Sequence, residues 1–294
     1  MFHAGSRTAG SKHSLKALCR ICILCLLAAA LLAGCQPEPE EYSSAPVQVP
    51  ETKFRIAYYE GGPYYDYTNS FRAFVDNMAG LGWMEPLDIP TFNDTEDMRS
   101  IWEYVSENTR SGYIEFPKDA FWSAGWDDAE RERIREEAIE RLSRQDDLDL
   151  VIAMGTWAGQ DLVNDQHNTP TMSLTSSNPV LAGIIEDPSS SGFDHVLVEV
   201  DPERFTRNIR LFHDVIGFER LGVVYEDSPD GRVYANLSEL QEASTELGFE
   251  IMECTAEDIN LTEQEAYEEV QACYREIAPQ IDALWMGAHR GESP

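Results

Sequence analysis

The sequence predicts an α/β protein with two doubly wound parallel-sheet domains joined by a hinge. Short apolar segments typical of strands alternate with amphipathic segments typical of helices along most of the chain. Residues 148–154 are almost continuously apolar, as in a strand that is covered on both faces of its sheet. The alternation begins again after about residue 195, which indicates a second sheet.

The individual elements follow from the spacing of apolar residues. In the first half, strands are predicted at 54–59, 87–89, 148–154 and 171–174, and helices at 68–81, 94–108 and 127–144. In the second half, strands are predicted at 196–200, 220–225, 249–253 and 283–286, and helices at 202–215, 234–247 and 262–278. We expect a signal peptide at 1–34, a flexible tether at 35–52, an N-terminal α/β domain at 53–195 and a C-terminal α/β domain at 196–294.

The N-terminal segment has the features of a secretory signal. Basic residues without any acidic residue precede an apolar run at 21–32, which is too short to span a membrane. The sequence Leu32-Ala33-Gly34-Cys35 resembles a bacterial lipoprotein box, which implies cleavage before Cys35 and a diacylglyceryl anchor on that residue. We therefore expect an exported protein anchored to the lipid bilayer of the cell envelope, facing the periplasm or the outer surface of the cytoplasmic membrane. The alternative is an ordinary secretory signal that happens to contain Cys35.

The charge of the chain excludes one class of partner. The 53 acidic residues outnumber the 22 basic ones, and the formal net charge is −31. Because nucleic-acid binding requires a basic surface that neutralises phosphates, we expect no nucleic-acid partner.

The cysteines divide into three groups. Cys19, Cys22 and Cys25 lie in the predicted signal peptide, and Cys35 is the predicted lipid attachment site. Cys254 and Cys273 remain, and an oxidising compartment favours a disulfide between them. Their spacing leaves open whether they are bridged.

The sequence contains no recognised signature of catalysis. The nucleophile elbow, the zinc-protease motif, the Walker loop and the dinucleotide-binding glycine motif are all missing, and the histidines are scattered. We therefore expect no enzymatic activity, no metal and no cofactor. An exported α/β enzyme is the least favoured alternative.

Polar and aromatic residues follow four predicted strands. Since ligands of open α/β sheets bind beyond the carboxyl ends of the strands, these loops indicate a cleft. In the first loop, Tyr64, Tyr65 and Tyr67 are suited to stack on a planar ligand, or alternatively to pack at a domain rim. The second loop, at 155–159, begins a helix and would suit a carboxylate or another anion. The third and fourth loops lie at 175–179 and 226–231.

Several short motifs occur along the chain in a defined order. They are residues 149–158 (Asp-Leu-Val-Ile-Ala-Met-Gly-Thr-Trp-Ala), Thr169-Pro170, residues 178–183 (Asn-Pro-Val-Leu-Ala-Gly) and the strand and loop at 218–226. In this order they resemble the substrate-binding proteins of ABC transporters, in the family that includes tryptophan/tyrosine-type binding lipoproteins. The resemblance covers about residues 53–290. It implies a type I periplasmic binding protein fold, a small-molecule ligand, an ABC permease as membrane partner and a monomeric state.

The resemblance also implies which residues contact the ligand. The first-loop tyrosines stand where the site of the family begins. The other implied contacts are Thr156, Ala158, Ser177, Asn178, Glu226, Asp227 and Ser228.

Three features depart from the pattern of the family. The segment 106–126 is longer and more aromatic than expected, so we expect it to reshape the cleft or cover its rim. Trp157 stands where a small residue or proline is expected. The chain ends before returning to the first domain, which suggests a C-terminal truncation.

The favoured function is therefore that of a lipid-anchored solute-binding protein of an ABC importer. Its two domains would close on a small ligand that is aromatic or resembles an amino acid. The alternative is an exported ligand sensor that signals to a membrane partner, because both functions use the same fold and cleft.

Overall fold

The structure, a computed structural model, describes residues 43–46, 52–92, 97–144, 146–259 and 261–292. The predicted signal peptide, the lipid attachment site Cys35 and most of the predicted tether lie outside these residues. Two parallel sheets occur in Ala45–Pro294, which forms one compact unit.

The first sheet has six strands in the described part of the chain, and all of its pairings are parallel. Its strand order is β2-β1-β4-β5-β6, and β3 also pairs with β1. The strands are β1 (Phe54–Glu60), β2 (Ile114–Glu115), β3 (Phe121–Ser123), β4 (Leu150–Met154), β5 (Thr171–Leu174) and β6 (Val196–Val198).

Helices cover both faces of the first sheet. They are α1 (Tyr65–Gly80), α2 (Met98–Asn108), α3 (Asp128–Arg144) and α4 (Thr156–Leu162). Alternate residues of β1 point to opposite faces, as in any strand. Tyr58 packs on Phe71 of α1 and Trp102 of α2, whereas the Tyr59 hydroxyl reaches Asp161 of α4. The sheet is therefore enclosed on both sides, which explains why its central strands are almost fully apolar.

The second sheet has the parallel order β8-β7-β9, formed by β7 (Arg220–Tyr225), β8 (Glu250–Thr255) and β9 (Ala283–Trp285). Its helices are α5 (Arg204–Ile216), α6 (Pro229–Tyr234), α7 (Leu237–Leu247) and α8 (Glu263–Ile277). Val223 of β7 belongs to the core beneath α5 and α7, and Val224 belongs to the core beneath α8. Because consecutive residues of β7 enter different cores, this sheet is also covered on both faces.

We call residues 52–198 the first lobe and residues 204–292 the second lobe. The first lobe has one large core rich in aromatic residues and a small one around Ile184 and Ile185, whereas the second lobe has two small cores. These observations confirm the predicted fold class of an α/β protein with two parallel sheets. The division at residue 195 stays a prediction, although β6 pairs with β5 and the first sheet therefore extends to Val198.

The local differences from the predicted elements have physical explanations. Residues 87–89 form no strand, because the backbone oxygens of Ile89 and Pro90 accept hydrogen bonds from the Arg72 side chain. Strands β2 and β3 are only two and three residues long, which is too short for a visible periodicity. The predicted helix 234–247 is divided, because Asn236 adopts a left-handed conformation between α6 and α7.

A disulfide joins β8 to α8. The sulfurs of Cys254 and Cys273 are bonded, and the Cα atoms of these residues are 5.7 Å apart. The bridge closes a loop with a sequence separation of 19 residues. Within the described ranges, no helix is long and apolar enough to cross a membrane.

Candidate functional site

The loops at the carboxyl ends of the strands meet between the two lobes. We call the small cavity at their centre the inner chamber. Its volume is about 50 Å³. It is lined by Tyr64, Tyr67, Trp126, Thr156, Thr175, Ser177, Tyr234, Asp258, Ile259, Ala288 and Arg290. These residues follow β1, β3, β4 and β5 of the first lobe and β7, β8 and β9 of the second. The inner chamber is thus built by both sheets, as expected for a ligand site of parallel α/β folds.

A wider space adjoins the inner chamber. We call it the outer chamber, and its volume is about 500 Å³. Six residues line both chambers, namely Tyr64, Tyr67, Thr175, Ser177, Tyr234 and Ala288. Asp66, Glu199 and Arg204 supply the charges of the outer chamber among its described residues. A ligand can therefore place one group in the inner chamber and the rest of its structure in the outer chamber.

Close packing fixes the aromatic walls of the first lobe. The Tyr64 and Tyr67 rings are 5.3 Å apart between centroids, and the Tyr67 and Trp126 rings are 6.5 Å apart. A Cβ atom at Gly155 would overlap the Tyr67 hydroxyl, and Gly155 has a φ of 87°. A Cβ atom at Gly62 would lie 2.6 Å from the Trp126 ring. Glycine is therefore required at both positions for the rings to approach the backbone this closely.

Two residues of the inner chamber have strained backbones. Thr175 has a φ of 58° and Trp126 a φ of 61°. This left-handed conformation is unfavourable for a β-branched residue such as threonine and costs about 1–3 kcal/mol. The Thr175 N–H donates to Glu199 Oε2 at 3.1 Å, and the Trp126 Nε1–H donates to the Pro63 oxygen at 2.9 Å. These contacts hold both residues against the chamber.

Burial keeps the tyrosine hydroxyls of the inner chamber neutral. Burial is the main cause that raises the pKa of Tyr64, Tyr67 and Tyr234 above the ordinary value. Nearby carboxylates act in the same direction: Asp66 raises the pKa of Tyr64 and of Tyr67, and Asp230 raises that of Tyr234. The rings therefore present neutral faces and hydroxyls within a negative electrostatic field.

A buried carboxyl group supports the first loop. Glu60 ends β1 and is only 1% exposed. It accepts hydrogen bonds from the Tyr58 hydroxyl at 2.9 Å and from the Ser123 hydroxyl at 2.8 Å. Burial raises the pKa of Glu60 to about 8, although these hydrogen bonds and the charge of Arg99 oppose the shift. Glu60 is thus largely protonated at neutral pH and joins β1 to β3 without adding a full charge.

A buried ion pair supports α4 from the opposite face of the sheet. Arg131 of α3 donates to Asp161 through Nη2 at 2.9 Å and Nε at 3.0 Å, and the Tyr59 hydroxyl donates to the same carboxylate at 2.9 Å. The guanidinium also lies 4.4 Å from the centroid of the Trp157 ring. Trp157, which stands where the sequence analysis expected a small residue, is therefore stacked against Arg131.

Hydrogen bonds join the two lobes across the cleft. Gln160 of α4 donates to Asp230 of α6 at 3.0 Å, and Asn178 donates to Glu239 of α7 at 2.9 Å. Asn178 and Glu239 also line a groove of about 910 Å³ beside the outer chamber. The lobes are thus in direct polar contact around the chambers.

Some residues that the sequence predicts for the site lie together. Tyr64, Tyr67, Thr156 and Ser177 line the inner chamber, and Tyr65 lines the outer chamber. Asn178 lies in the adjoining groove. Their roles in ligand binding stay predictions, since lining a cavity is not evidence of contact with a ligand.

Other predicted residues lie away from the chambers. Ala158 is fully buried in the core of the first lobe. Asp227 is ion-paired with Arg232 at 2.5 Å, and the Ser228 hydroxyl caps α6 by accepting from the Gly231 N–H at 3.0 Å. Glu226 lies beside Tyr234 and Asp258 in a pocket next to the inner chamber. Asp227 and Ser228 therefore have local structural roles, and Ala158 has no surface to offer a ligand.

Several lining residues were not predicted. Trp126 follows a three-residue strand, and Asp258 and Arg290 follow strands whose loops have no distinctive composition. The aromatic segment 106–126 was expected to reshape the cleft. Of its aromatic residues Tyr113, Phe116, Phe121, Trp122 and Trp126, only Trp126 lines the inner chamber, and the others pack in or against the core. The signal available in the sequence was the aromatic composition of this segment.

In the described ranges, His, Cys, Asp and Glu side chains form no group of three or more that could hold a metal ion.

Comparison with known proteins establishes the family. The profile of the ABC transporter substrate binding protein family matches residues 126–284, which is more than half of the chain. The chain therefore belongs to this family of substrate-binding proteins. No curated protein sequence matches it significantly.

Two solved structures are similar in fold. A conserved domain protein from Vibrio cholerae has a TM-score of 0.54 and 15% identity, covering 79% of this chain and 64% of that protein. An ABC domain from Streptococcus pneumonia, in complex with L-Trp, has a TM-score of 0.52 and 13% identity, covering 81% of this chain and 66% of that domain. At these identities the likeness shows the fold alone, which is that of type I periplasmic binding proteins. The chain spans slightly less than two thirds of the length of each.

Proposed function

We propose that the protein captures a small organic ligand between its two lobes and presents it to an ABC permease. The ligand is bound without chemical change, and the two lobes close on it about a hinge. In this proposal the protein is a monomer, exported and anchored through a lipid on Cys35 to the outer side of a membrane. The acidic, proline-rich segment after Cys35 serves as the tether.

One observation carries the proposal: seven strand ends from two separate sheets contribute to a single chamber. A ligand held there contacts both lobes, so its affinity for the closed arrangement exceeds its affinity for an open one. That difference in affinity is what drives hinge closure. Membership of the family and the L-Trp complex of the streptococcal domain support the same function.

Native mass spectrometry of the gently purified full-length protein tests the binding function. We expect one small molecule to remain bound per chain. Removal of the ring in Tyr67→Ala should weaken retention, because this ring forms part of the wall of the inner chamber. The matched control is Tyr267→Ala, because Tyr267 lies on α8 and is 45% exposed. Equal retention by both variants would contradict a site in the inner chamber.

Membrane fractionation tests the anchor separately. In a bacterial host, the wild type should sediment with membranes, and Cys35→Ser should be released in soluble form or remain unprocessed. Membrane association of a processed Cys35→Ser protein that equals that of the wild type would argue against lipid attachment at this residue. The result does not depend on the identity of the ligand.

A further inference from the structure

We propose that the inner chamber binds the ammonium group of an organic cation that lacks a carboxylate. The inference rests on the proposed binding function and adds the chemical class of the ligand. Three observations support the inference: the four aromatic rings, the ion pair that neutralises the arginine of the chamber, and the nearby carboxylates. Each contribution comes from residues that line the inner chamber or directly adjoin it.

The aromatic rings form converging walls. Tyr64, Tyr67 and Trp126 belong to the first lobe and Tyr234 to the second. The Tyr64 and Tyr67 rings are inclined by 68°, and the Tyr67 and Trp126 rings by 43°. All four rings line the same small space, and the face of an aromatic ring carries the negative part of its quadrupole. Such an arrangement attracts a cation within about 6 Å of the ring centroids.

The arginine of the inner chamber is already neutralised. The Nε of Arg290 lies 2.9 Å from Asp258 Oδ1, and its Nη2 donates to the backbone oxygens of Asp258 and Leu261. Arg290 is the only cationic side chain among the described residues that line this chamber. A carboxylate placed in the inner chamber would therefore have to displace Asp258 to find a counter-charge.

On the second-lobe side, Asp258 lines the inner chamber and Glu226 lines the pocket next to it. Glu226 shares a pocket with Tyr234 and Asp258, and Asp230 lies on the same helix as Tyr234. Burial raises the pKa of Glu226, and the charges of Asp258, Glu257 and Asp230 raise it further. A bound cation would relieve this repulsion, whereas an anion would increase it.

Two backbone N–H groups at the starts of α4 and α6 already donate within the protein. The sequence analysis expected the loop at 155–159 to suit an anion, but the Gly155 N–H donates to the Leu174 oxygen at 2.8 Å. The Gly231 N–H of α6 is used by Ser228 of the same helix. These two backbone donors therefore have partners within the protein.

The dimensions fit a small head group with a larger remainder. A volume of about 50 Å³ holds an ammonium group but not an aromatic ring, since one water molecule occupies about 30 Å³ in the liquid. The remainder would extend into the outer chamber, where Asp66 and Glu199 outnumber Arg204. Ser176 lines the outer chamber, and its buried hydroxyl has no partner among the residues that the structure describes, so it is available to accept a hydrogen bond from a ligand.

Calorimetric titration of the full chain with four probes of similar size tests the inference. Phenethylammonium is the cation, phenethyl alcohol the neutral analogue, hydrocinnamate the anion and L-phenylalanine the zwitterion. We expect phenethylammonium to bind about tenfold more tightly than each of the others, which corresponds to about 1.4 kcal/mol.

Substitutions at Tyr234 separate cation binding from general packing. Tyr234→Phe keeps the ring and should preserve the ratio of phenethylammonium to phenethyl alcohol affinity, whereas Tyr234→Leu should lower it several-fold. Glu226→Gln should also lower this ratio, and Tyr267→Leu should leave it unchanged. Thermal melting of each variant shows whether it is folded, and a ratio between two probes is insensitive to a uniform loss of binding.

The outcomes distinguish this inference from the proposed function. Tighter binding of L-phenylalanine or hydrocinnamate than of phenethylammonium would overturn the cation assignment and leave the binding function intact. A dissociation constant for phenethylammonium above about 10 mM would also overturn it. Failure of the binding function would appear separately, as absence of a co-purified ligand in native mass spectrometry.

Discussion

The two lobes hold their sides of the cleft by different means. The first lobe places its loops on a single large aromatic core and reinforces them with buried polar groups, namely Glu60 with its two hydroxyl donors and Asp161 with Arg131. The second lobe has smaller cores and relies on the Cys254–Cys273 disulfide and the Asp258–Arg290 pair.

This difference has a thermodynamic consequence. In the first lobe, each buried polar group depends on its partner, because an unpaired charge in a core is far more costly than a lost surface contact. In the second lobe, a covalent bond restricts the unfolded chain and compensates for limited burial. Loss of a buried polar partner should therefore act through the native state, whereas loss of the disulfide should act mainly through the unfolded state.

Removal of Asp161 should have the largest effect on stability. Asp161→Ala removes the counter-charge of the partly buried Arg131 guanidinium and the acceptor of the buried Tyr59 hydroxyl. We expect the free energy of unfolding, measured by urea denaturation, to fall by about 3–5 kcal/mol. The control is Asp201→Ala, which breaks an exposed pair with Arg207 and should lower stability far less. Similar losses in the two variants would show that the Arg131–Asp161 pair stabilises the protein no more than an exposed pair does.

Replacement of Glu60 should change the pH dependence of stability. Its pKa of about 8 in the folded protein exceeds its ordinary value of 4.5, so between these values the folded state keeps a proton that the unfolded state has lost. Wild-type stability should therefore fall as the pH rises from about 4.5 to 8. Glu60→Gln lacks this titration, and its stability relative to the wild type should rise over this range by up to about 4 kcal/mol.

Urea unfolding of both proteins at several pH values measures this difference. The control is Glu257→Gln at an exposed position, whose stability relative to the wild type should change far less over the same range. A constant difference between Glu60→Gln and the wild type would mean that Glu60 is ionised in the folded protein.

Loss of the disulfide should destabilise the second lobe by an intermediate amount. For a closed loop of this length, chain entropy predicts about 3 kcal/mol of stabilisation. In a variant carrying both Cys254→Ser and Cys273→Ser, hydrogen exchange should accelerate in β8 and α8 and remain unchanged in β1 and β4. Uniform acceleration in both lobes would show that they unfold as one unit.

Removal of the hydrogen bonds between the lobes should have the smallest energetic effect. Asn178→Ala removes the hydrogen bond to Glu239, and Gln160→Ala removes the one to Asp230. We expect each substitution to make closure of the two lobes less favourable by about 1 kcal/mol and to lower ligand affinity up to about fivefold. Small-angle X-ray scattering should show a larger radius of gyration for the ligand-free double variant. Gln280→Ala, which removes a bond within the second lobe, is the control.

The sequence was most informative where burial imposes a pattern. Strands β4 and β5 and helix α3 were predicted nearly as the structure has them, because their apolar residues face a continuous core. The tyrosine loop was identified because three aromatic residues directly follow a strand. Trp126 was not singled out as a lining residue, because the strand that precedes it, β3, has only three residues and forms by pairing with β1.

The sequence by itself determined the α/β class, the two parallel sheets and the loops that face the cleft, because these follow from local periodicity and from the direction of the strands. Only the tertiary structure decided which side chains share the inner chamber. Asp258 and Arg290 meet Tyr64 and Trp126 there although they are far apart in the chain, and Ala158, Asp227 and Ser228 are directed elsewhere. Local patterns encode the face on which a residue lies, whereas the partner across a cleft depends on how two sheets are placed against each other.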